Sequence, residues 1–187
     1  MTTAPLTRPA RTATDPHSGT WVIDSTRAVV AFSGKASFLT PTIRARFLDV
    51  EGSVDVVETS RGLTGAVDVA VDVASLTTRN PVWDELITSF DPFHADHFPV
   101  AVYHSTRVTW TAGQASLDGT LTLRGVTKAV PLTASYDVAR DGERMLVRAA
   151  GTIDRNAFGV LFDIPGCGKL VPRIMRLAID VDVVLAV

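Results

Sequence analysis

The chain has little that could restrain it covalently or draw it to a charged partner. Only one of its 187 residues is a cysteine, Cys167, so no intramolecular disulfide can form, which is compatible with a reducing compartment. Neither charge is in excess, since 18 Lys and Arg stand against 20 Asp and Glu for a formal net charge of −2. The cations are scattered along the chain, which argues against nucleic acid as a partner. No apolar run approaches the ~18 residues of a transmembrane helix, so stable membrane insertion is not expected. Arg8 and Arg11 have no apolar segment behind them, so the start does not read as a secretory signal and a cytoplasmic location is expected. Residues 1–18, rich in Thr, Ala, Pro and Arg, read as a disordered leader, with one domain over 19–187.

What the chain does have is alternation. In GAVDVAVDV, Val67, Val69, Val71 and Val73 share one face while Asp68 and Asp72 share the other. The C-terminus repeats the pattern, with Ile179, Val181, Val183 and Leu185 against Asp180 and Asp182. Further strands are expected over 28–38, 43–57, 100–110, 115–123, 129–140 and 145–154. Gly62, Gly113, Gly125 and Gly142 fall where tight hairpin turns need a positive φ. About eight long strands joined mostly by short turns predict an all-β, antiparallel meander closed into a barrel, because closure removes exposed edges. A barrel of that size can be filled by side chains or can hold one small ligand.

One segment breaks the alternation. In residues 80–99 Trp83, Leu86, Ile87 and Phe90 fall at i, i+3, i+4 and i+7, one face of a helix. Asn80 suits the N-cap and Pro81 the first helical position, and Pro92 predicts an end near Phe90. An aromatic helix among strands must bury its face, and the open end of the barrel is the natural place. The same residues could plug that end as ordinary core.

Other candidates carry weaker chemistry. His94, His97 and His104, with Asp91 and Asp96, contain ligand-type side chains, but no Cys or Glu pair completes a metal site. Purified protein is therefore expected to hold no stoichiometric zinc. Cys167 lies near Lys169 but has no histidine beside it to act as a base. Arg124 and Lys128 flank a turn that could meet an anionic head group or could simply be solvated. Arg27, Lys35, Arg44 and Arg46 face inward or outward depending on register. Arg155, Asp154 and Asp163 could form an ion pair closing the barrel. No serine-hydrolase elbow, dinucleotide fingerprint or Walker loop is present.

Three segments together resemble the YceI-like family of bacterial polyisoprenoid-binding, lipocalin-like proteins. They are Trp21-Val22-Ile23-Asp24 with Val29 and Phe32; Ala74-Ser75-Leu76-Thr77-Thr78 through Trp83-Asp84-Glu85-Leu86, Ser89, Phe90 and Phe93 to Phe98-Pro99; and Gly119 to Lys128, similar to that family's G-x-L-T-x-R-G-V-T-K. Arg155-Asn156-Ala157-Phe158-Gly159 adds a late R-x-x-F-G. The resemblance implies an eight-stranded lipocalin-like barrel with one short helix packed against it. It also implies an apolar cavity for an isoprenoid, isoprenoid quinone or other long-chain amphiphile. The residues expected to contact such a ligand are Phe32, Phe38, Phe47, Trp83, Leu86, Ile87, Phe90, Phe93, Phe98 and Phe158. Beyond a bound isoprenoid or quinone, no cofactor is implied. Two positions depart from the family pattern: Arg27-Ala28 stands where His-Ser is common, and Lys35-Ala36-Ser37 where a His is frequent. A non-enzymatic binding or transport role is the first expectation. An isomerase or cyclase in the same cavity, or a packed barrel serving as an interaction module, stays open, as does a homodimer.

Overall fold

The computed structural model describes residues 15–36, 42–162 and 171–186. Phe38, Asp163, Cys167 and Lys169 lie outside them. Among the described residues are β1 (Gly19–Ile23), β2 (Val29–Gly34), β3 (Ile43–Phe47), β4 (Val50–Thr59), β5 (Gly62–Asp72), β6 (Leu76–Thr77), α1 (Pro81–Phe90), β7 (Val100–Thr111), β8 (Gln114–Leu123), β9 (Val126–Ala129), β10 (Leu132–Val138), β11 (Arg144–Asp154) and β12 (Ile174–Leu185). Three pairs of these strands are single strands with a kink. β1 and β2 both lie along β12, β3 and β4 break at Leu48-Asp49, and β9 and β10 both lie along β8. Counted that way the sheet has eight long strands, every pairing antiparallel, and the β1–β12 contact closes it into a barrel. The two-residue β6 is appended to β3.

The kinks are built by side chains. Asp24 caps the 3-10 turn between β1 and β2 by accepting from the Thr26 amide and hydroxyl, and Arg144 contacts its other oxygen at 3.1 Å. Where β3 breaks into β4, the Leu48 and Asp49 amides both donate to Ser75 Oγ, which donates to the Asp72 carbonyl. The Ser75 hydroxyl thereby replaces the ladder that the kink removes.

A third irregularity lies in β7. Its pairing with β8 gains one residue between Ser105 and Arg107, a β-bulge. Pairing with β5 stops at His104, and beyond it the Val67 amide donates to Ser105 Oγ at 2.7 Å. Ser105 is 1% exposed. The extra residue exchanges the faces of the strand: Ala101 and Tyr103 point inward before it, Val108 and Trp110 after it.

The helix forms where periodicity placed it. Asn80 Oδ1 accepts from the Val82 and Trp83 amides, Pro81 is first, and Asp91 ends the helix in a left-handed conformation at φ 36°. Asp84 ties the helix to the barrel by accepting from the Thr77 hydroxyl and from both the amide and hydroxyl of Thr78. Burial opposes ionisation of Asp84, but these bonds outweigh it and hold its pKa below the usual 3.8.

The barrel has two ends. One carries α1, the Arg124–Gly125 turn and residues 155–162. The other carries the β4–β5, β7–β8 and β10–β11 turns, with residues 15–18 packed across it. There Pro16 is buried, Tyr136 donates to Asp15, and Trp21 Nε1 donates to the His17 carbonyl. Residues 15–18, assigned by sequence to the leader, are thus packed against the barrel.

Candidate functional site

The barrel encloses a cavity of about 160 Å³. Register explains why space remains there. Trp110, Ala115, Ala134, Ala149, Ile179, Val30 and Phe47 are successive cross-strand partners around the wall, and all of them line the cavity. Three adjacent alanines in one row leave a volume that Val or Leu would fill.

At the helix end the cavity is closed by rings. Phe32 contacts Phe47 at 5.6 Å between centroids, Phe47 meets Phe93 edge-on at 5.9 Å, and Phe93 meets Phe162 edge-on at 6.4 Å. The Arg155 guanidinium lies 5.3 Å from the Phe162 centroid. Such contacts contribute about 0.5–1.5 kcal/mol each beyond area burial.

Polar atoms are few on this wall. Among the described lining residues only Tyr103, Trp110, Tyr136 and Arg155 carry polar side-chain atoms. Tyr103 donates to the Val130 carbonyl, and Tyr136 donates to Asp15. Arg155 donates to the carbonyls of Val160, Val171 and Pro172. Trp110 Nε1, sealed from solvent, has no hydrogen-bond partner. Burial, with Asp118 adding repulsion, pushes the Tyr103 hydroxyl up to about 12, and burial raises Tyr136 as well.

Gly119 is required by this arrangement: a Cβ there would sit 2.4 Å from the Tyr103 hydroxyl and 2.8 Å from the His104 carbonyl.

A second cleft lies at the same end, on the outer side of the ring closure. Phe90, Asp91, Pro92, His94, Arg124, Gly159 and Leu161 line it. Its polar groups are engaged within the protein: Arg124 contacts the His94 ring at 3.2 Å, and Asp91 accepts from the Ala95 amide. Three of the four segments that resemble family motifs meet here, Arg124 and Gly125 packing against Phe98, His94 and Gly159.

The expected contact residues separate into groups. Phe32, Phe47 and Phe93 line the cavity. Phe158, 2% exposed, is core beside it, and Leu86 and Ile87 pack half-buried on that core. Trp83 is half-buried on the helix, Phe90 is 50% exposed in the outer cleft, and Phe98 rests on Gly125. The helix thus abuts the cavity, while the loop after it supplies the lining residue. Phe38 lies outside the described residues.

Register settles the cations as well. Arg44, Lys35 and Arg27 are exposed, while Ala45 and Phe47 take the inner face of β3. Asp154 does not pair with Arg155; it binds Arg173 at 2.6 Å, because it caps the turn outside the barrel wall while Arg155 turns inward. His104 pairs with Asp68 across β5 and β7, away from His94 and His97. Among the described residues no group of three or more His, Cys, Asp or Glu is arranged to hold a metal ion.

Trp110, Tyr103, Tyr136, Arg155, Phe162 and the alanine row are lining residues that sequence reasoning missed. Alternation in β8 and β10 carried a signal for the alanines. None existed for Trp110, since the bulge reverses its side.

Barrel, kinked closure and apolar interior define a lipocalin-like eight-stranded barrel with one helix at its end. The YceI-like domain model matches residues 21–183, and the chain belongs to that family. A UPF0312 protein of Vibrio campbellii is 30% identical over 160 residues, 82% of each chain. A UPF0312 protein of Pseudomonas aeruginosa is 29% identical over 123 residues, so the chain spans 64% of that relative's length. Among solved structures, Burkholderia cenocepacia BcnA superposes with a TM-score of 0.66 at 21% identity, over 86% of this chain and 98% of that one. A polyisoprenoid binding domain from Saccharophagus degradans gives 0.66 at 14% identity, over 89% and 98%. Among the described residues no helix is long and apolar enough to cross a membrane.

Proposed function

We propose that this protein binds and carries, without chemical conversion, an isoprenoid, isoprenoid quinone or other long-chain amphiphile inside the barrel. The observation that carries this reading is the cavity wall, whose described lining residues are apolar except for four side chains, three of which spend their polar atoms on the protein itself. Each buried methylene contributes about 0.8 kcal/mol, so an apolar chain needs no directional contacts to be held. Similarity to a domain described as polyisoprenoid binding supports the same ligand class.

The empty volume of about 160 Å³ is roughly half of the ~300 Å³ at which pockets for drug-sized ligands begin. A long chain therefore enters by displacing Phe93 and Phe162, and its tail leaves through the gap they open. Among the described lining residues there is no carboxylate or imidazole to move a proton, and a tyrosine held near 12 is a poor base at neutral pH. That supports binding over an isomerase or cyclase.

Solvent extraction of protein purified from its native host, followed by mass spectrometry, should release a prenyl or fatty-chain compound in near-stoichiometric amount. Protein that is clean on extraction and also fails to bind a fluorescent long-chain prenyl analogue would refute the proposal.

A further inference from the structure

We infer that the Trp110 indole N–H is the recognition donor for an uncharged oxygen acceptor, such as a carbonyl, on the ligand, so that the ligand enters head first. The inference rests on the proposed binding function and adds the ligand's orientation and head-group class.

Trp110 sits near the end of β7, at the end of the barrel away from the helix, and beside the alanine row where the wall recedes. Its Nε1 is sealed from solvent and bonds to nothing. A buried donor left unmade is costly, whereas an acceptor arriving with the ligand recovers that loss. The neighbouring hydroxyls do not compete, because Tyr103 and Tyr136 already donate elsewhere. Asp15, held on Tyr136 at the same end, makes an anionic head group unfavourable there. The Arg155 cation belongs to the opposite end, among the closing rings. A neutral acceptor is what this end can take. Nε1 is shielded even in the empty cavity, so contact forms as the cavity widens, a movement that a long chain requires in any case.

The Tyr136 ring packs edge-on against Trp110 at 5.1 Å, and it offers the alternative acceptor for the N–H. The test separates the two. Affinities of the full chain and of Trp110→Phe are measured for two probes of equal length, a polyprenyl methyl ketone and the matching polyprenyl hydrocarbon. The wild type should prefer the ketone by roughly ten-fold, the scale of one hydrogen bond to a previously unpaired buried donor. In Trp110→Phe the ratio of the two affinities should fall to about one, whatever the change in absolute affinity for the hydrocarbon. The Trp110 indole ¹H–¹⁵N resonance of the wild type should shift downfield with the ketone and not with the hydrocarbon, a readout that needs no folded variant. An equal ketone preference in both proteins, or no ketone-specific shift, would overturn the inference and assign the N–H to the Tyr136 ring. Failure of both probes to bind would overturn the binding function itself.

Discussion

Replacing Ala134 by Phe tests whether the barrel is hollow where register says it is. Ala134 lies at the centre of the alanine row, between Ala115 and Ala149, and is 4% exposed. At roughly 24 cal/mol per Å³, an unfilled volume of about 160 Å³ corresponds to about 4 kcal/mol of packing forgone. A phenyl ring placed in that space gains about 2 kcal/mol from burial, less the cost of fixing its rotamer. Ala134→Phe should therefore be as stable as the wild type or up to about 2 kcal/mol more stable, while affinity for a long-chain prenyl analogue falls at least ~10-fold. In a filled barrel the same change overpacks the core and costs about 1–3 kcal/mol. Ala150→Phe on the outward face is the control, expected within about 0.5 kcal/mol of wild type. Guanidinium denaturation at equilibrium reads the stability, and fluorescence titration reads the affinity. A loss above about 1 kcal/mol in Ala134→Phe, with Ala150→Phe unchanged, would refute the hollow-barrel reasoning.

Ser105→Ala leaves the buried Val67 amide without its acceptor and should cost about 1–3 kcal/mol in the same denaturation experiment, with Ser105→Thr milder than Ser105→Ala. Both tyrosines of the chain have raised pKa values, Tyr103 to about 12, so an ultraviolet titration should show no tyrosinate step at 10 while the protein is folded. Because the folded form keeps the proton more tightly, their stabilising share is complete below pH 10 and is lost as pH rises toward 12. Asp84 has the opposite sign: its pKa lies below 3.8 in the folded state, so its contribution is present above that pH and disappears as acid protonates it. Thermal melts of Asp84→Asn should accordingly be lower than wild type at neutral pH and converge with it in acid.

Much of the architecture was legible from local pattern. Alternation identifies the inner valines of β5 and β12, since a strand's two faces differ by one residue and only one meets the core. Asn80, Pro81 and Pro92 mark the helix because capping and the fixed φ of proline act within a few residues. The kinks at Asp24 and Ser75 were not legible, nor was the strand role of Gly19–Ile23, as each depends on partners distant in sequence. The helix residues were expected at the ligand; in the structure Phe93 lines the cavity, while Trp83 and Phe90 stay on the helix and outer cleft.

Trp110 shows most clearly where sequence stops and tertiary structure begins. Uninterrupted alternation through 100–110 would place it with Val100 and Val102, which are 47% and 41% exposed. One extra residue between Ser105 and Arg107 moves it to the inner face with Tyr103. Sequence alone determined long antiparallel strands, each with one apolar face, and the helix among them, because periodicity, capping and turn chemistry are local. Tertiary structure decided which indole faces the cavity and that three alanines stand side by side, because a bulge and a register are properties of strand pairs, not of one strand.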